Sequence, residues 1–119
     1  MIRVLMAEDI AAISVALEDA VSDGGYSVIA VSSNVAALAW LEDCTPDLAM
    51  LDWVLRDGST VAVARVLRDR SVPTLFLSGH HRTLPSDLED VIWIEKPVSF
   101  EHLIGALDGL RDQMTRSQP

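Results

Sequence analysis

The sequence predicts an α/β fold in which helices cover both faces of a five-stranded parallel sheet, the arrangement called doubly wound. Five short apolar runs recur along the 119 residues, and segments with helical spacing of apolar residues separate most of them. The runs are near-continuous rather than alternating, which is typical of strands covered on both faces. We therefore expect one domain over residues 1–119, with an ordered core from about 2 to 114.

Each apolar run has the length of a buried strand. The predicted strands are residues 2–6, 26–31, 48–51, 73–77 and 91–94. Strands that alternate with helices are joined by right-handed crossovers. Five such strands in a chain of this length fit the flavodoxin-like order 2-1-3-4-5.

Four segments between and after these strands carry an apolar stripe with the period of an α-helix. Their stripes are, in chain order, Ile13, Leu17, Ala20 and Val21; Val35, Leu38 and Leu41; Val63, Val66 and Leu67; and Phe100, Leu103, Leu107, Leu110 and Met114. Gly and hydroxyl residues mark their ends, as helix stops and N-caps do. The expected signals are Gly24-Gly25 after the first helix, Ser32 or Ser33 before the second, Ser59 or Thr60 before the third, and Ser99 before the last.

The crossover between the fourth and fifth strands differs from the others. Residues 78–90 contain Gly79 and Pro85 and have no helical stripe. Both residues disfavour a helix interior. We expect a loop or a single turn here, so that the fourth helix of the usual doubly wound pattern is short or absent.

The charge balance restricts the partners. The chain has 18 acidic and 9 basic residues, a net charge of -9. Nucleic acids and anionic membranes bind basic patches, so we expect neither as a partner. The single cysteine, Cys44, excludes an internal disulfide, and no signal peptide or membrane span is visible. We expect a cytoplasmic protein, either a monomer or a weak homodimer.

Polar side chains follow four of the predicted strands. Glu8 and Asp9 follow the first, Asp52 the third, Ser78 the fourth and Lys96 the fifth. Because the carboxyl ends of parallel strands meet at one edge of a sheet, we expect these groups to share one crevice. Lys96 is the only lysine of the chain, beside eight arginines.

Three carboxylates in one crevice repel one another, so a cation or protons must compensate their charge. Carboxylate oxygens without Cys or His favour Mg²⁺. Together with one lysine, Mg²⁺ makes the pocket neutral, so that it accepts a phosphoryl group. A strand-end aspartate at the metal is then a plausible nucleophile that forms an aspartyl-phosphate.

This ordered set of residues on this strand and helix plan resembles the receiver domain of two-component response regulators, the CheY-like family, over about residues 2–112. The resemblance implies that Asp52 is the phosphoacceptor. It also implies that Glu8 and Asp9 bind Mg²⁺ together with Asp52 and the backbone carbonyl of Val54.

The resemblance assigns three further roles. It makes Ser78 the switch hydroxyl, and Lys96 the residue that pairs with the phosphate, before a cis-linked Pro97. Trp93 falls at the position of the family's aromatic switch, although simple packing of a strand tryptophan explains it equally well. Ser78 has a turn-forming role as its alternative.

A narrower resemblance concerns Phe76-Leu77-Ser78-Gly79-His80, which is similar to the Phe-Ala-Thr-Gly-aromatic signature of FATGUY-type single-domain receivers. That subgroup has a reduced fourth helix and partners that are often histidine kinases of the HWE class. The loop after Asp52 departs from the family, because Arg56 replaces the usual proline and the loop is about two residues short. We expect Arg56 to form an ion pair with Asp57 or to contact phosphate.

We therefore expect a phosphoacceptor signalling domain that takes its phosphoryl group from a histidine kinase or a phosphotransfer protein. It would signal by protein contact or act as a phosphate sink, and it would catalyse only its own phosphorylation and autodephosphorylation. The alternatives are a non-phosphorylated pseudo-receiver, a phosphatase, a flavodoxin-type cofactor binder, or a receiver segment of a longer hybrid kinase or regulator. Val54 speaks against the phosphatase, since a second acid is expected there. The acidic first loop speaks against a bound phosphate cofactor.

Overall fold

One parallel sheet organises the chain, whose computed structural model describes residues 1–79, 85–88 and 90–116. Its strands lie in the order β2-β1-β3-β6-β7. They are β1 (Arg3–Ala7), β2 (Ser27–Val31), β3 (Leu48–Asp52), β6 (Thr74–Ser78) and β7 (Ile92–Glu95). Counted as the five strands of this sheet, the order is 2-1-3-4-5. The predicted flavodoxin-like topology is confirmed.

Four α-helices flank the sheet in the part of the chain that the structure describes, and all four were predicted. They are α1 (Ala11–Asp23), α2 (Asn34–Asp43), α3 (Val61–Asp69) and α4 (Phe100–Arg116). Gly24 follows α1, and Gly25 takes a positive φ of 100°, a backbone conformation that glycine adopts without steric cost. The Ser33 and Ser99 hydroxyls accept hydrogen bonds from the N–H groups of Ala36 and His102, so both are caps as expected.

The core has two halves, one on each face of the sheet. The half beside α1 and α4 includes Leu17, Val21, Leu103 and Leu107. The half beside α2 and α3 includes Ala37, Leu41, Val63, Leu67 and Phe76. Strands β3 and β6 are buried along their whole length, as their continuous apolar character predicted.

Some stripe residues do not reach the core. Ile13, Val35, Leu38 and Phe100 are exposed, with Val35 at 73%. The buried face of α2 is formed by Leu41, which belongs to the predicted stripe, and by Ala37, which does not. The prediction for α2 was right for Leu41 and wrong for Val35 and Leu38, because most residues of this helix are apolar and periodicity alone does not select a face.

A short antiparallel hairpin, absent from the prediction, follows Asp52. Its strands are β4 (Val54–Leu55) and β5 (Gly58–Ser59), with Arg56 and Asp57 at the turn. In the described part of the crossover after β6, the only helical element is one 3₁₀ turn, Ser86–Leu88. This agrees with the predicted short or absent fourth helix. Residues 80–84 and 89 of that crossover lie outside the described residues.

Candidate functional site

Three carboxylates meet at the carboxyl ends of β1 and β3. Glu8 and Asp9 follow β1, and Asp52 is the last residue of β3. One oxygen from each lies within 4.8 Å of the others. Glu8 and Asp52 are buried, with 1% and 4% exposure, whereas Asp9 is half-buried. The predicted convergence of these three residues is therefore confirmed.

Lys96 reaches this cluster from the end of β7. Its Nζ lies 3.0 Å from Asp52 Oδ1 and 3.4 Å from Glu8 Oε2. The Lys96-Pro97 peptide bond is cis, as the resemblance implied. The Lys96 N–H donates to the Ser78 carbonyl over 2.7 Å, which places the end of β7 beside the end of β6. The single lysine of the chain thus supplies an ammonium group that pairs with two carboxylates of the acidic cluster.

The buried carboxylates shift one another's proton affinity. Burial and the hydrogen-bonded neighbour Glu8 raise the pKa of Asp52 to about 8, although Lys96 opposes this. Burial also acts against ionisation of Glu8. Hydrogen bonds from Asp52 and from the Ile10 N–H, with the nearby Lys96 charge, outweigh it and lower the pKa of Glu8. Burial therefore works against the simultaneous ionisation of Glu8 and Asp52.

Ser78, at the end of β6, lies with Asp52, Val54 and Lys96 around a cleft of about 190 Å³. The structure therefore brings the predicted hydroxyl residue to the same cleft as Asp52 and Lys96. Val54 belongs to this rim, as predicted, and its side chain is exposed. The role of its carbonyl as a metal ligand stays a prediction.

Thr60 is a residue of the site that the sequence analysis placed only as a helix cap. It does occupy the position before α3, but its hydroxyl does not cap the helix. The hydroxyl donates instead to the Asp52 carbonyl over 2.7 Å, and the Thr60 N–H donates to the Trp53 carbonyl over 3.0 Å. Thr60 is fully buried, so this hydrogen bond holds the Asp52 backbone from within the core. The only signal in the sequence for this contact is that a hydroxyl residue stands eight positions after Asp52.

Three aromatic rings pack beside the acceptor. Trp53 meets Phe76 edge-on, with ring centroids 5.1 Å apart, and lies 5.5 Å from Trp93. Trp93 is half-buried and also contacts Phe76. The ring at the predicted switch position thus contacts the residue directly after Asp52. Its switching role remains a prediction.

The hairpin after Asp52 is tied to the start of α2. The Asp57 carboxylate accepts hydrogen bonds from the backbone N–H groups of Asn34 and Val35, and these bonds lower its pKa. The Asn34 amide group donates to the Gly58 carbonyl. Arg56 is not paired with Asp57. Its Nε lies 3.9 Å from Asp9 Oδ2, so its ion pair is made with the acidic cluster.

The donor set suits a hard divalent cation. Among the described residues, the cluster offers carboxylate oxygens and no Cys or His ligand, and two of its carboxylates are buried beside one another. Such groups are costly to ionise together unless a cation neutralises them. Glu8, Asp9 and Asp52 form a cluster able to bind a metal ion.

No family model matches the chain. Among curated proteins, it is similar to the transcriptional regulatory protein TrcR of Mycobacterium tuberculosis, with 31% identity over 117 residues. That match covers 92% of this chain and 45% of TrcR, so the chain spans less than half of that relative. Among solved structures, a response regulator receiver protein from Sinorhizobium medicae shares 29% identity at a TM-score of 0.83, over 95% of this chain and 96% of that one.

The chain is similar in sequence and fold to CheY-like response regulator receiver domains. A CheY-like receiver domain from Methanospirillum hungatei shares the fold at a TM-score of 0.88, with 21% identity over 99% of both chains. Similarity to receiver domains of two-component systems implies a phosphodonor partner. No helix of the described residues combines the length and apolar character needed to span a membrane.

The narrower FATGUY-type assignment stays a prediction. Phe76, Leu77 and Ser78 end β6, and Gly79 follows them; Leu77 and Ser78 replace the Ala and Thr of the signature. His80, its last member, lies outside the described residues, as does His81.

Proposed function

We propose that this receiver domain accepts a phosphoryl group on Asp52 from a histidine kinase or a phosphotransfer protein. One observation carries the proposal: the Asp52 carboxylate lies at the base of the cleft, 3.0 Å from the Lys96 ammonium and beside two further carboxylates. A carboxylate in such a place is a nucleophile with charge compensation already at hand.

In the proposed reaction, an Asp52 carboxylate oxygen attacks the phosphorus of the donor. The new O–P bond forms while the P–N bond of a phosphohistidine breaks, and the imidazole leaves with the electron pair. Attack by water later breaks the aspartyl-phosphate and returns the carboxylate and inorganic phosphate. The domain would thus catalyse only its own phosphorylation and autodephosphorylation.

Each neighbour of Asp52 has a role that follows from its position. Lys96 would give up part of its ion pairing with the carboxylates and pair with the phosphoryl oxygens instead. A compact ammonium group is suited to this role. Ser78 would donate its hydroxyl to one of them. Thr60 keeps the Asp52 backbone in place while these contacts change. Trp93, which contacts Trp53, would change position as the ring switch.

We propose Mg²⁺ as the cation, held by Glu8, Asp9, Asp52 and the Val54 carbonyl. When bound, it supplies positive charge that offsets the developing charge on the phosphoryl oxygens. The carboxylates of this chain hold and orient it, and Lys96 completes the charge balance.

The phosphorylated form would signal by contact with a downstream protein or serve as a phosphate sink, in the cytoplasm. We propose a population shift in which the crossover after β6 rearranges when Ser78 moves toward the phosphoryl group. A histidine kinase of the HWE class is the proposed donor, on the strength of the FATGUY-type signature.

Intact-mass spectrometry after incubation with acetyl phosphate and Mg²⁺ tests the proposal. We expect a gain of one phosphoryl group that is lost on removal of Mg²⁺ and absent in Asp52→Asn. Asp47→Asn is the matched control, because Asp47 precedes the same strand at its other end and binds the Arg3 N–H. No mass gain with any phosphodonor would leave the pseudo-receiver, a binding module without phosphorylation, as the function.

A further inference from the structure

The hairpin after the acceptor strand carries a basic side chain to the rim of the acidic cluster. Arg56 stands at its turn, with the guanidinium Nε 3.9 Å from Asp9 Oδ2. Its side chain is 85% exposed, whereas that of Asp9 is 16% exposed. An arginine in this place is therefore free to exchange its partner without disturbing the core.

The backbone that carries Arg56 is held from both sides. Before it, Leu55 is buried in the core half beside α2 and α3. After it, the Asp57 carboxylate binds the first N–H groups of α2, and the Asn34 side chain binds the Gly58 carbonyl. The side chain thus starts from a defined point near Asp9, although its own end is in solvent.

Two basic residues pair with different carboxylates of the acidic cluster. Among the described residues, Lys96 forms ion pairs with Glu8 and Asp52, and Arg56 forms one with Asp9. Asp9 is also one of the three carboxylates whose oxygens meet closely enough to hold a metal ion. A cation that binds Asp9 must therefore compete with the guanidinium for the same carboxylate.

We propose that Arg56 is an internal competitor for the divalent cation, acting through Asp9, so that it sets the metal affinity of the site. The inference rests on the proposed function only for the cation site itself. An exposed ion pair contributes little, so neutralising Arg56 should tighten cation binding by about two- to fivefold. Reversing its charge should tighten it further, because a fourth carboxylate then faces the cation.

The test is calorimetric titration of the full chain with MgCl₂ at low ionic strength, without any phosphodonor. Wild type is compared with Arg56→Gln and Arg56→Glu. The matched controls are Arg65→Gln and Arg65→Glu, which change the net charge equally, at an arginine that pairs with Asp87 instead of the cluster. Because Arg56 is exposed, all variants should retain the wild-type circular dichroism spectrum.

We expect the dissociation constant to fall in the order Arg, Gln, Glu at position 56, and to change by less than about twofold at position 65. The inference is overturned if the position 56 variants match wild type or change no more than their position 65 counterparts. If wild type binds no Mg²⁺, the proposed cation site itself fails. If wild type binds Mg²⁺ but gains no phosphoryl group, only the phosphoacceptor function fails.

Discussion

Two segments border the acceptor site, and they are held in different ways. The segment after β3 is fixed by hydrogen bonds of the buried Thr60 to the Asp52 and Trp53 carbonyls. In the described part of the segment after β6, Leu88 is the buried apolar anchor. Its neighbour Asp87 forms exposed ion pairs with Arg65 and Arg68.

Directional hydrogen bonds hold the segment after β3, whereas apolar and ionic contacts hold the described residues of the segment after β6. Buried hydrogen bonds are directional and costly to leave unpaired, so they fix the acceptor backbone in one geometry. An apolar side chain has no directional demand, and exposed ion pairs contribute little. The contacts of Leu88 and Asp87 are therefore less directional than those that hold Asp52 and Trp53.

The first prediction tests the apolar anchor. Leu88→Ala should lower the free energy of unfolding by about 2–5 kcal/mol, because it removes a buried side chain and leaves a cavity. Urea denaturation measures this, with Leu88→Met as a control that nearly conserves volume and should cost less than about 1.5 kcal/mol. A loss below about 1 kcal/mol in the alanine variant would show that Leu88 does not anchor the segment.

The second prediction tests the buried hydrogen bonds. Thr60→Val keeps the shape but leaves the Asp52 carbonyl without its hydroxyl donor, so it should cost about 1–3 kcal/mol. Thr60→Ser retains the hydroxyl and should be closer to wild type. The phosphorylation rate with acetyl phosphate should fall in the valine variant at saturating Mg²⁺. If the valine variant keeps both the wild-type phosphorylation rate and the wild-type free energy of unfolding, Thr60 does not support the site.

The third prediction concerns the outer attachment of the acceptor segment. Asp57→Asn should lower the melting temperature at neutral pH, since the ionised carboxylate accepts the N–H groups that begin α2. Because folding lowers the pKa of Asp57, its contribution is present above the ordinary carboxyl pKa and is lost as pH falls through the lowered value. The difference between variant and wild type should therefore shrink as pH falls below the ordinary carboxyl pKa.

Asp43→Asn is the matched control for this variant, because Asp43 is exposed at the other end of α2. A negative charge at a helix C-terminus is unfavourable, so its removal should not lower the melting temperature. A difference for Asp57→Asn that stays constant across the acidic range would contradict the proposed electrostatic cause.

The smallest effect is expected for Asp87→Asn. It breaks the pairs with Arg65 and Arg68, which lie on the surface, so the loss in melting temperature should be smaller than that of Asp57→Asn. The loss should vanish at about 1 M salt, where exposed charges are screened. Persistence of the difference at high salt would mean that Asp87 holds the segment by more than charge.

Much of the site could be predicted because its residues follow strands. The strands could be recognised in the sequence as short apolar segments, and parallel strands bring their carboxyl ends to the same edge of the sheet. Glu8, Asp52 and Lys96 therefore met as expected. Arg56 and Thr60 could not be placed in the same way. Their partners are set by the hairpin after Asp52, which the sequence did not predict, and by a hydroxyl that binds the Asp52 backbone instead of capping its helix.

The sequence by itself determined the sheet order, the helix ends and the acidic crevice, because these depend on local periodicity and on the geometry common to all parallel sheets. The tertiary structure alone decided which face of α2 is buried, where the guanidinium of Arg56 points, and which group supports Asp52 from within the core. These depend on distances between elements far apart in the chain, which small differences in loop length change while the local pattern stays the same.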